Sequence, residues 1–389
     1  MSNRQTSQNR PIHGGNLAWA AELADCPPSC ILDFSASINP LGPPNTAIAA
    51  IQSHLDQLKS YPDPSYGHLR RALGTFHSVD PDWIMPGNGA AELLTWIGRD
   101  LSALKTTVLM QPGFSDYFRA LNAFEAPLVT CSLDVETLFN QNCNQRAEAM
   151  SSPIARPTPS LRSLCASAEK LVQCNLSSVG LLINNPHNPT GQLWTAEAIA
   201  DCCEQFGRVV VDEAFMDFLP SETQQSLIDR ITDFSNLVIL RSLTKFYSLP
   251  GLRIGYAIAH PDVLQRWRRW QDPWPVNVLA EVAAIAAVQD RAFQHQTLAW
   301  VNKARTQLFN GLAQLPQLQP YPGSANFLLV RSQVSVTQLQ ERLLKRYQVL
   351  IRDCLSFDIL GDRYFRVAVR TEAENQVLIE GLAHCLKML

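Results

Sequence analysis

Short runs of apolar, mostly β-branched residues recur along the first two thirds of the chain, and helical patterns separate most of them. The runs are TVLM at 107–110, GLLIN at 180–184, RVVVD at 208–212, LVILR at 237–241 and IGYAIA at 254–259. Continuous apolar strands of this length are typical of parallel sheets that helices cover on both faces. The sequence therefore predicts an α/β protein built on a mainly parallel sheet.

The last third of the chain has a different pattern, which predicts a second, smaller domain. Long helical patterns at 276–290 and 294–313 precede two strand-like runs with a helix between them, and an amphipathic helix closes the chain. That order is typical of an α+β unit. We therefore predict an N-terminal arm at 1–45, a large domain at 46–275 and a small C-terminal α+β domain at 276–389.

Two further stretches carry local predictions. Ile48, Ile51, Leu55 and Leu58 recur at helical spacing, which predicts a helix with one apolar face. The polar stretch at 140–163 is rich in Pro and Ser, and it predicts a surface excursion rather than a linker between domains.

Composition and charge exclude several classes of protein. Hydrophobic residues make up 46% of the 389 residues and charged ones 17%, which excludes a wholly disordered chain. The net charge of −3 attracts neither nucleic acid nor an anionic membrane, and no apolar run approaches the roughly 18 residues of a spanning helix. The N-terminus lacks the apolar middle of a secretory signal, and no CxxC or histidine partner at metal-ligand spacing accompanies the adjacent Cys202 and Cys203. We predict a cytoplasmic protein with reduced cysteines, binding no metal, nucleic acid or membrane.

Polar side chains cluster just beyond the ends of the predicted strands, where ligands bind in open α/β sheets. Asn188, Asp212 and Lys245 each follow or end one of the runs, and Arg253 comes shortly after them. A turn with two glycines, PGNGAAE at 86–92, opens a helix whose first amides are free to hold an anion. The set offers an amine, a carboxylate and an anion site. Pyridoxal phosphate requires an amine for a Schiff base, an acid facing its ring nitrogen and a site for its phosphate.

The spacing S-x-T-K-x₇-R from Ser242 through Lys245 to Arg253, combined with N-P-T-G, resembles the fold-type I aminotransferase superfamily over nearly the whole chain. The resemblance implies that Lys245 forms the Schiff base with pyridoxal phosphate. It also implies that Asp212 keeps the ring nitrogen protonated, which makes the ring an electron sink. The remaining cofactor residues that it implies are Asn188 at the ring's 3′-oxygen and a phosphate site of Gly89, Ala90, Ser242 and Arg253.

Two aromatic residues add to this resemblance. Phe114, in PGF, matches the aromatic residue that stacks on the cofactor ring, and an ordinary core phenylalanine is the alternative. Tyr61, in YPD, resembles the tyrosine that reaches into the phosphate site of the neighbouring subunit, and an ordinary turn tyrosine is the alternative. If Tyr61 has that role, the active unit is a homodimer.

Within the superfamily, HGGN at 13–16 followed by DFSASINPLG at 33–42 most resembles the threonine-phosphate decarboxylases of cobalamin biosynthesis. These enzymes are themselves similar to histidinol-phosphate aminotransferases. The resemblance implies a substrate site made of His13, Gly14, Ser37, Asn188, Arg352 and Arg366. In it, Arg352 pairs with the substrate's phosphate and Arg366 with its carboxylate, and Arg370 competes with Arg366 for the second role.

Two arginines at one substrate predict a small phosphorylated amino acid with two anionic groups.

Two residues depart from the related patterns. Ser37 replaces an asparagine that has a longer reach, and Phe215 replaces a tyrosine that would donate a hydrogen bond to the cofactor's 3′-oxygen.

The resemblance implies decarboxylation of L-threonine O-3-phosphate to (R)-1-aminopropan-2-yl phosphate and CO₂. A histidinol-phosphate aminotransferase or a related aminotransferase is the second hypothesis, and a non-catalytic module that keeps the fold is the third. The residues alone do not choose between decarboxylation and transamination, because that choice depends on which bond of the substrate's Cα stands perpendicular to the cofactor ring.

Overall fold

The computed structural model describes residues 10–133, 135–136, 161, 172 and 175–389. The predicted excursion at 140–163 lies outside the described residues except for Leu161, which is buried. Within the described ranges, no helix is both long enough and apolar enough to span a membrane.

The strands are numbered here in chain order. They are β1 (Leu32–Asp33), β2 (Ile84–Gly87), β3 (Thr106–Gln111), β4 (Leu128–Ser132), β5 (Val179–Asn184), β6 (Arg208–Asp212), β7 (Leu237–Ser242), β8 (Gly255–Ala259), β9 (Leu318–Pro320), β10 (Phe327–Ser332), β11 (Val349–Leu350), β12 (Arg352–Asp353) and β13 (Tyr364–Ala368). All five apolar runs from which the sheet was predicted are strands.

The large sheet has seven strands in the order β2-β8-β7-β6-β5-β3-β4. The strands from β4 to β7 are all parallel, and β8 alone runs antiparallel to both of its neighbours. The predicted α/β fold with a mainly parallel sheet is therefore confirmed. Its parallel strands end at one edge, which brings Asn184, Asp212 and Ser242 to neighbouring positions.

The sheet is buried on both faces, as continuous apolar strands require. On β6, Val209 and Val211 pack into one apolar cluster, whereas Val210, between them, packs into a second cluster on the other face. Leu237 and Val238 of β7 divide in the same way. Helices pack on both faces of the sheet. The residues that could bind a ligand are therefore expected in the loops at the ends of the strands.

The helices of the described residues are numbered in the same way. They are α1 (Leu17–Ala24), α2 (Asn45–Ser53), α3 (Gly67–His77), α4 (Ala90–Leu101), α5 (Ser115–Asn122), α6 (Ala196–Gln205), α7 (Pro261–Arg268), α8 (Val278–Gln289), α9 (Arg291–Ala313), α10 (Val336–Tyr347) and α11 (Glu372–Leu386).

The helix predicted from Ile48 to Leu58 is only partly correct. Helix α2 ends at Ser53, and Leu55–Lys59 forms a 3₁₀ helix. Ile48, Leu55 and Leu58 are exposed in this chain. Their spacing indicates an apolar face, of which Ile51 packs against the core of its own chain while the other three residues do not.

The C-terminal third forms a second sheet in the order β12-β13-β10-β9, in which all pairs are antiparallel. Residues of β10, β13, α9, α10 and α11 share one apolar cluster. The N-terminal segment joins this region, because β1 pairs in parallel with β11. The domain boundaries after residues 45 and 275 stay predictions.

Candidate active site

A cavity of about 320 Å³ lies beyond the carboxyl ends of β5, β6 and β7. The predicted site residues that line it are His13, Gly14, Ser37, Ala90, Phe114, Asn188, Asp212, Ser242, Lys245, Arg253, Arg352 and Arg366. The structure thus brings together residues that are up to about 350 positions apart in the sequence. Gly89 and Tyr61 are the two predicted residues that do not line this cavity.

Lys245 lies three residues beyond β7 and extends into the cavity, where it is half-buried. Burial, with smaller contributions from the positive charges of Arg366 and Arg253, lowers the pKa of the Lys245 amine from 10.5 to about 8. The negative charge of Asp212 raises the pKa of Lys245 and so opposes part of this shift. A substantial fraction of the amine is therefore neutral near pH 8, and only the neutral amine is a nucleophile.

Asp212 ends β6 and is 8% exposed. Its carboxylate accepts hydrogen bonds from the Tyr117 hydroxyl at 2.8 Å and from the Ala214 backbone N–H at 3.0 Å. Burial raises the pKa of Asp212, and these two hydrogen bonds oppose that rise. The two donors thus stabilise a charged carboxylate in an enclosed site.

Tyr117 is a site residue that the sequence analysis missed. It lies three positions after Phe114 in the first turn of α5, and the two rings meet edge to face with centroids 5.5 Å apart. Residues three apart on a helix share one face. The sequence signal that could have identified Tyr117 is therefore the spacing of the two aromatic residues in PGFSDY.

An anion site is formed where α4 begins. Gly89 has φ of +77°, and a Cβ built on it would lie 2.6 Å from Nη2 of Arg253. The glycine thus allows the guanidinium of Arg253 to approach the free amides of the first helical turn. The Ser242 and Thr244 hydroxyls, 2.7 Å from each other, line the same cavity. Thr244 belongs to the motif, yet the sequence analysis did not assign it to the cofactor.

Arg352 and Arg366 lie directly opposite each other in the antiparallel pairing of β12 with β13, and both line the cavity. Arg366 donates to the Asn188 side-chain oxygen and, at 3.2 Å, to the Ser35 carbonyl oxygen, neither of which is charged. Burial first, and then the charge of Arg352, lowers the pKa of Arg366 to about 10. Like charges directly across two strands are unfavourable unless an anion joins them.

Arg370, the competitor for the role of Arg366, has partners outside the cavity. It donates to the Asp33 carbonyl oxygen at 3.1 Å and pairs with Glu374 at 2.7 Å. Glu374 also completes the N-terminal capping box of α11. The position of Arg370 therefore supports Arg366 as the arginine that faces the substrate.

His13 and Gly14 form the N-terminal side of the cavity. The imidazole of His13 lies 5.7 Å from the ring of Phe114, centroid to centroid. Burial, then the charge of Arg352, lowers the pKa of His13. Gly14 touches the backbone of Ser35 so closely that a Cβ would lie 2.3 Å from its carbonyl oxygen.

Ser37 and Phe215, the two departures from the related patterns, also line the cavity. Ser37 is 2% exposed, and its hydroxyl has no hydrogen-bond partner among the described residues. Phe215 packs edge to face on Phe327, with centroids 4.9 Å apart. The hydroxyl of Ser37 is therefore a polar group that a ligand or a water molecule could satisfy.

Tyr61 lies outside the cavity of its own chain. It is 79% exposed, and its ring stacks on Trp274 with centroids 4.4 Å apart. It borders a separate groove of about 1120 Å³ that α2, α3 and α8 line. The role of Tyr61 in a neighbouring subunit stays a prediction.

The comparisons with known proteins agree with this geometry. The model of the family described as aminotransferase class I and II matches residues 30–382. The chain belongs to the class I and II aminotransferase family. It is 38% identical to the threonine-phosphate decarboxylase of Salmonella typhimurium (strain LT2) over 379 residues, which are 96% of each chain.

Two further relatives extend the comparison. The adenosylcobalamin biosynthesis bifunctional protein CobDQ of Leptospira interrogans is 29% identical over 97% of this chain, which spans 41% of that longer protein. The crystal structure of histidinol-phosphate aminotransferase from Sinorhizobium meliloti, in complex with pyridoxal-5′-phosphate, superposes with a TM-score of 0.79. It is 20% identical and covers 100% of this chain and 98% of its own, so the likeness is one of fold. The predicted class of fold-type I pyridoxal-phosphate enzymes is confirmed.

Proposed function

We propose that the protein decarboxylates L-threonine O-3-phosphate to (R)-1-aminopropan-2-yl phosphate and CO₂ in cobalamin biosynthesis. The observation that carries this proposal is the pair of arginines, Arg352 and Arg366, that face each other in the cavity that contains Lys245. A substrate with both a phosphate and a carboxylate provides one anion for each. The 38% identity to a threonine-phosphate decarboxylase supports the same substrate.

The residues of the cavity fit pyridoxal phosphate. Lys245 offers the amine and Asp212 offers the buried carboxylate. Arg253, the Ser242 hydroxyl and the start of α4 together form an anion site. Gly89 supports this fit, because a side chain there would occupy the space next to Arg253. When bound, the cofactor supplies a carbonyl carbon that takes the substrate's amine and a ring that accepts electrons from the bond that breaks.

The chain's own residues would orient the substrate and move protons. Arg352 holds the phosphate and Arg366 the carboxylate, so the two ends of the substrate are fixed and rotation about its Cα is restricted. Asn188 keeps Arg366 in place by accepting its hydrogen bond. The Lys245 amine, with its pKa of about 8, can give a proton to Cα after CO₂ has left.

Transamination is the alternative reaction for this site, and histidinol phosphate is the alternative substrate. Histidinol phosphate carries a phosphate but no carboxylate, so as the amine donor it would leave Arg366 without an anionic partner until the keto acid of the second half-reaction bound. The buried position of Arg366 opposite Arg352 therefore favours a substrate with two anionic groups. A non-catalytic module is disfavoured, since every residue that the chemistry requires is present.

We also propose that the active unit is a homodimer. The exposed Tyr61 and the exposed Leu55 and Leu58 nearby would then pack against a second copy of the chain. Cytoplasmic localisation stays a prediction from the sequence.

The test is to incubate the purified holoenzyme with O-phospho-L-threonine and to measure released CO₂ and the phosphorylated amine. We expect one CO₂ for each substrate consumed and no requirement for a keto acid. Amino transfer to 2-oxoglutarate without CO₂ release would refute decarboxylation, and a strong preference for histidinol phosphate would assign the chain to the aminotransferases.

A further inference from the structure

Residues 10–16, called the N-terminal strap below, are fixed at both ends. At one end, Arg10 donates to Gln340 at 2.5 Å and pairs with Glu341 at 3.2 Å and with Asp353 at 3.3 Å. At the other end, the Gly15 N–H donates to the Ser35 hydroxyl at 2.8 Å. The strap therefore connects α10 and β12 with the rim of the cavity.

The strap also holds the guanidinium of Arg352. Arg352 donates to the Pro11 carbonyl oxygen at 3.2 Å, to the Ile12 carbonyl oxygen and, at 2.5 Å, to the Ser356 hydroxyl. These acceptors are neutral, so they orient the guanidinium without cancelling its charge.

The carboxylate of Asp353 lies between two arginines. Its Oδ2 is 3.3 Å from Nη1 of Arg10, and its Oδ1 is 3.9 Å from Nη1 of Arg352. Oδ1 also accepts a hydrogen bond from the Leu355 N–H at 3.3 Å. The exposed fractions of the three side chains are 14% for Arg10, 7% for Arg352 and 6% for Asp353, so solvent screens these interactions only weakly.

The two contacts of Asp353 compete. A carboxylate that pairs closely with Arg352 cancels the positive charge that an anionic substrate would meet. Arg10 binds the same carboxylate from the other side, at the shorter distance. If Arg10 lost its charge, Arg352 would be the cation left beside Asp353 among the ion pairs of the described residues.

We propose that Arg10 is a positioning residue that occupies the Asp353 carboxylate, so that Arg352 stays available to the phosphate of the substrate. The role of Arg352 rests on the proposed function. Arg10 itself touches neither the cavity nor the reacting atoms, and it acts through a carboxylate on the strand that carries the substrate's arginine.

The first test is Arg10→Met, which keeps the aliphatic stem and removes the charge. We expect the KM for O-phospho-L-threonine to rise about tenfold, which equals about 1.4 kcal/mol. The kcat and the KM for unphosphorylated L-threonine should stay within about twofold of the unmodified protein. Arg10→Lys keeps a charge beside Asp353, so its KM for O-phospho-L-threonine should lie between that of the unmodified protein and that of Arg10→Met.

The second test separates competition for charge from a merely detached strap. In Arg10→Met/Asp353→Asn the competing carboxylate is absent, so we expect the KM for O-phospho-L-threonine to return to within about twofold of the unmodified protein. A double variant as weak as Arg10→Met overturns the proposal. The matched control is Arg342→Met on helix α10, which Arg10 contacts through Gln340 and Glu341. The Arg342 side chain contacts the Met388 carbonyl oxygen, so its removal should not change the KM.

Binding of inorganic phosphate to the holoenzyme, measured by calorimetry, provides a readout independent of turnover. The Kd for phosphate should rise about tenfold in Arg10→Met and return to the value of the unmodified protein in the double variant. It should not rise in Asp353→Asn alone. If O-phospho-L-threonine releases no CO₂ from the unmodified protein, the proposed function fails while these Kd values still decide the role of Arg10. Thermal melts identify any variant that does not fold, and Asp353→Asn alone then tests the proposal: a Kd weaker than that of the unmodified protein overturns it.

Discussion

Lys245 should destabilise the cofactor-free protein, and the structure gives the size of this effect. Its pKa falls from 10.5 in an exposed chain to about 8 in the folded state, chiefly because of burial. Below both values the amine is charged in both states, and the folded state bears a penalty of about 3 kcal/mol, since each pKa unit is about 1.4 kcal/mol. Lys245→Met removes this charge and keeps the length of the side chain.

The sign of the pH dependence follows from proton binding. Between pH 8 and 10.5 the unfolded chain keeps the proton of Lys245 while the folded protein releases it, so stability rises with pH in this window. We expect Lys245→Met to stabilise the cofactor-free protein by about 3 kcal/mol at pH 7. The gain should be smaller at pH 9 by about 1 kcal/mol, because most of the folded wild-type protein has lost the proton by then.

The assay is urea unfolding of the cofactor-free protein at both pH values, with Lys303→Met as the matched control. Lys303 is 74% exposed and pairs with Glu372 at 2.9 Å on the surface, so its removal should change stability by less than about 1 kcal/mol at either pH. A Lys245→Met variant that is less stable than the wild type, or whose gain does not change with pH, would refute the reasoning. The same variant should lose turnover and the visible absorbance of the bound cofactor, since Lys245 is the one lysine among the described residues that line the cavity.

Three further outcomes are expected from single substitutions. Arg352→Met should raise the KM for O-phospho-L-threonine about ten- to hundredfold and leave L-threonine unaffected, because a charge-assisted hydrogen bond contributes about 1.5–3 kcal/mol; Arg370→Met, which faces away from the cavity, is the control in steady-state kinetics. Gly89→Ala should weaken binding of pyridoxal phosphate at least about tenfold in an absorbance titration, since its φ of +77° strains any side chain and the new Cβ displaces Arg253. Ser37→Asn should lower the KM for the phosphorylated substrate about fivefold, because the longer amide adds a donor and an acceptor at a position that lines the cavity.

The sequence predicted the centre of the large sheet well and its edges poorly, for a physical reason. The central strands are buried on both faces, so most of their positions are apolar and the runs are conspicuous. Strands β2 and β4 lie at the two edges of the sheet, and neither was predicted. β2 contains Pro86 and Gly87, which are unfavourable inside a strand, and several residues of β4 are only partly buried.

The apolar residues between Ile48 and Leu58 show another limit. Their spacing correctly indicated an apolar face, but periodicity does not reveal what covers that face. Ile51 packs against the core of its own chain, whereas Leu55 and Leu58 are exposed. A single sequence contains no signal that separates burial within a chain from burial between two chains.

The candidate site also contains some residues that could be predicted from the sequence and others that could not. Residues of one motif, from Ser242 to Arg253, could be assigned from spacing because a short loop at the end of β7 fixes where they lie. Tyr117 could not be assigned to Asp212, since the two meet only after α5 packs beside the end of β6. Hydrogen bonds between distant segments leave no pattern in one chain.

The two substrate arginines depend on strand register more than on any motif. Arg352 and Arg366 meet because β12 pairs with β13 at these residues, and successive positions of a strand face opposite sides. A register shifted by one residue would place Phe365 or Val367 opposite Arg352 and leave one arginine on the wrong face. The pairing brings two like charges together in a buried place, a cost that the Asp353 carboxylate, 3.9 Å from Arg352, offsets in part and that an anionic ligand would offset further. The fold therefore keeps two arginines together at the position where the proposed substrate, with its two anionic groups, would bind.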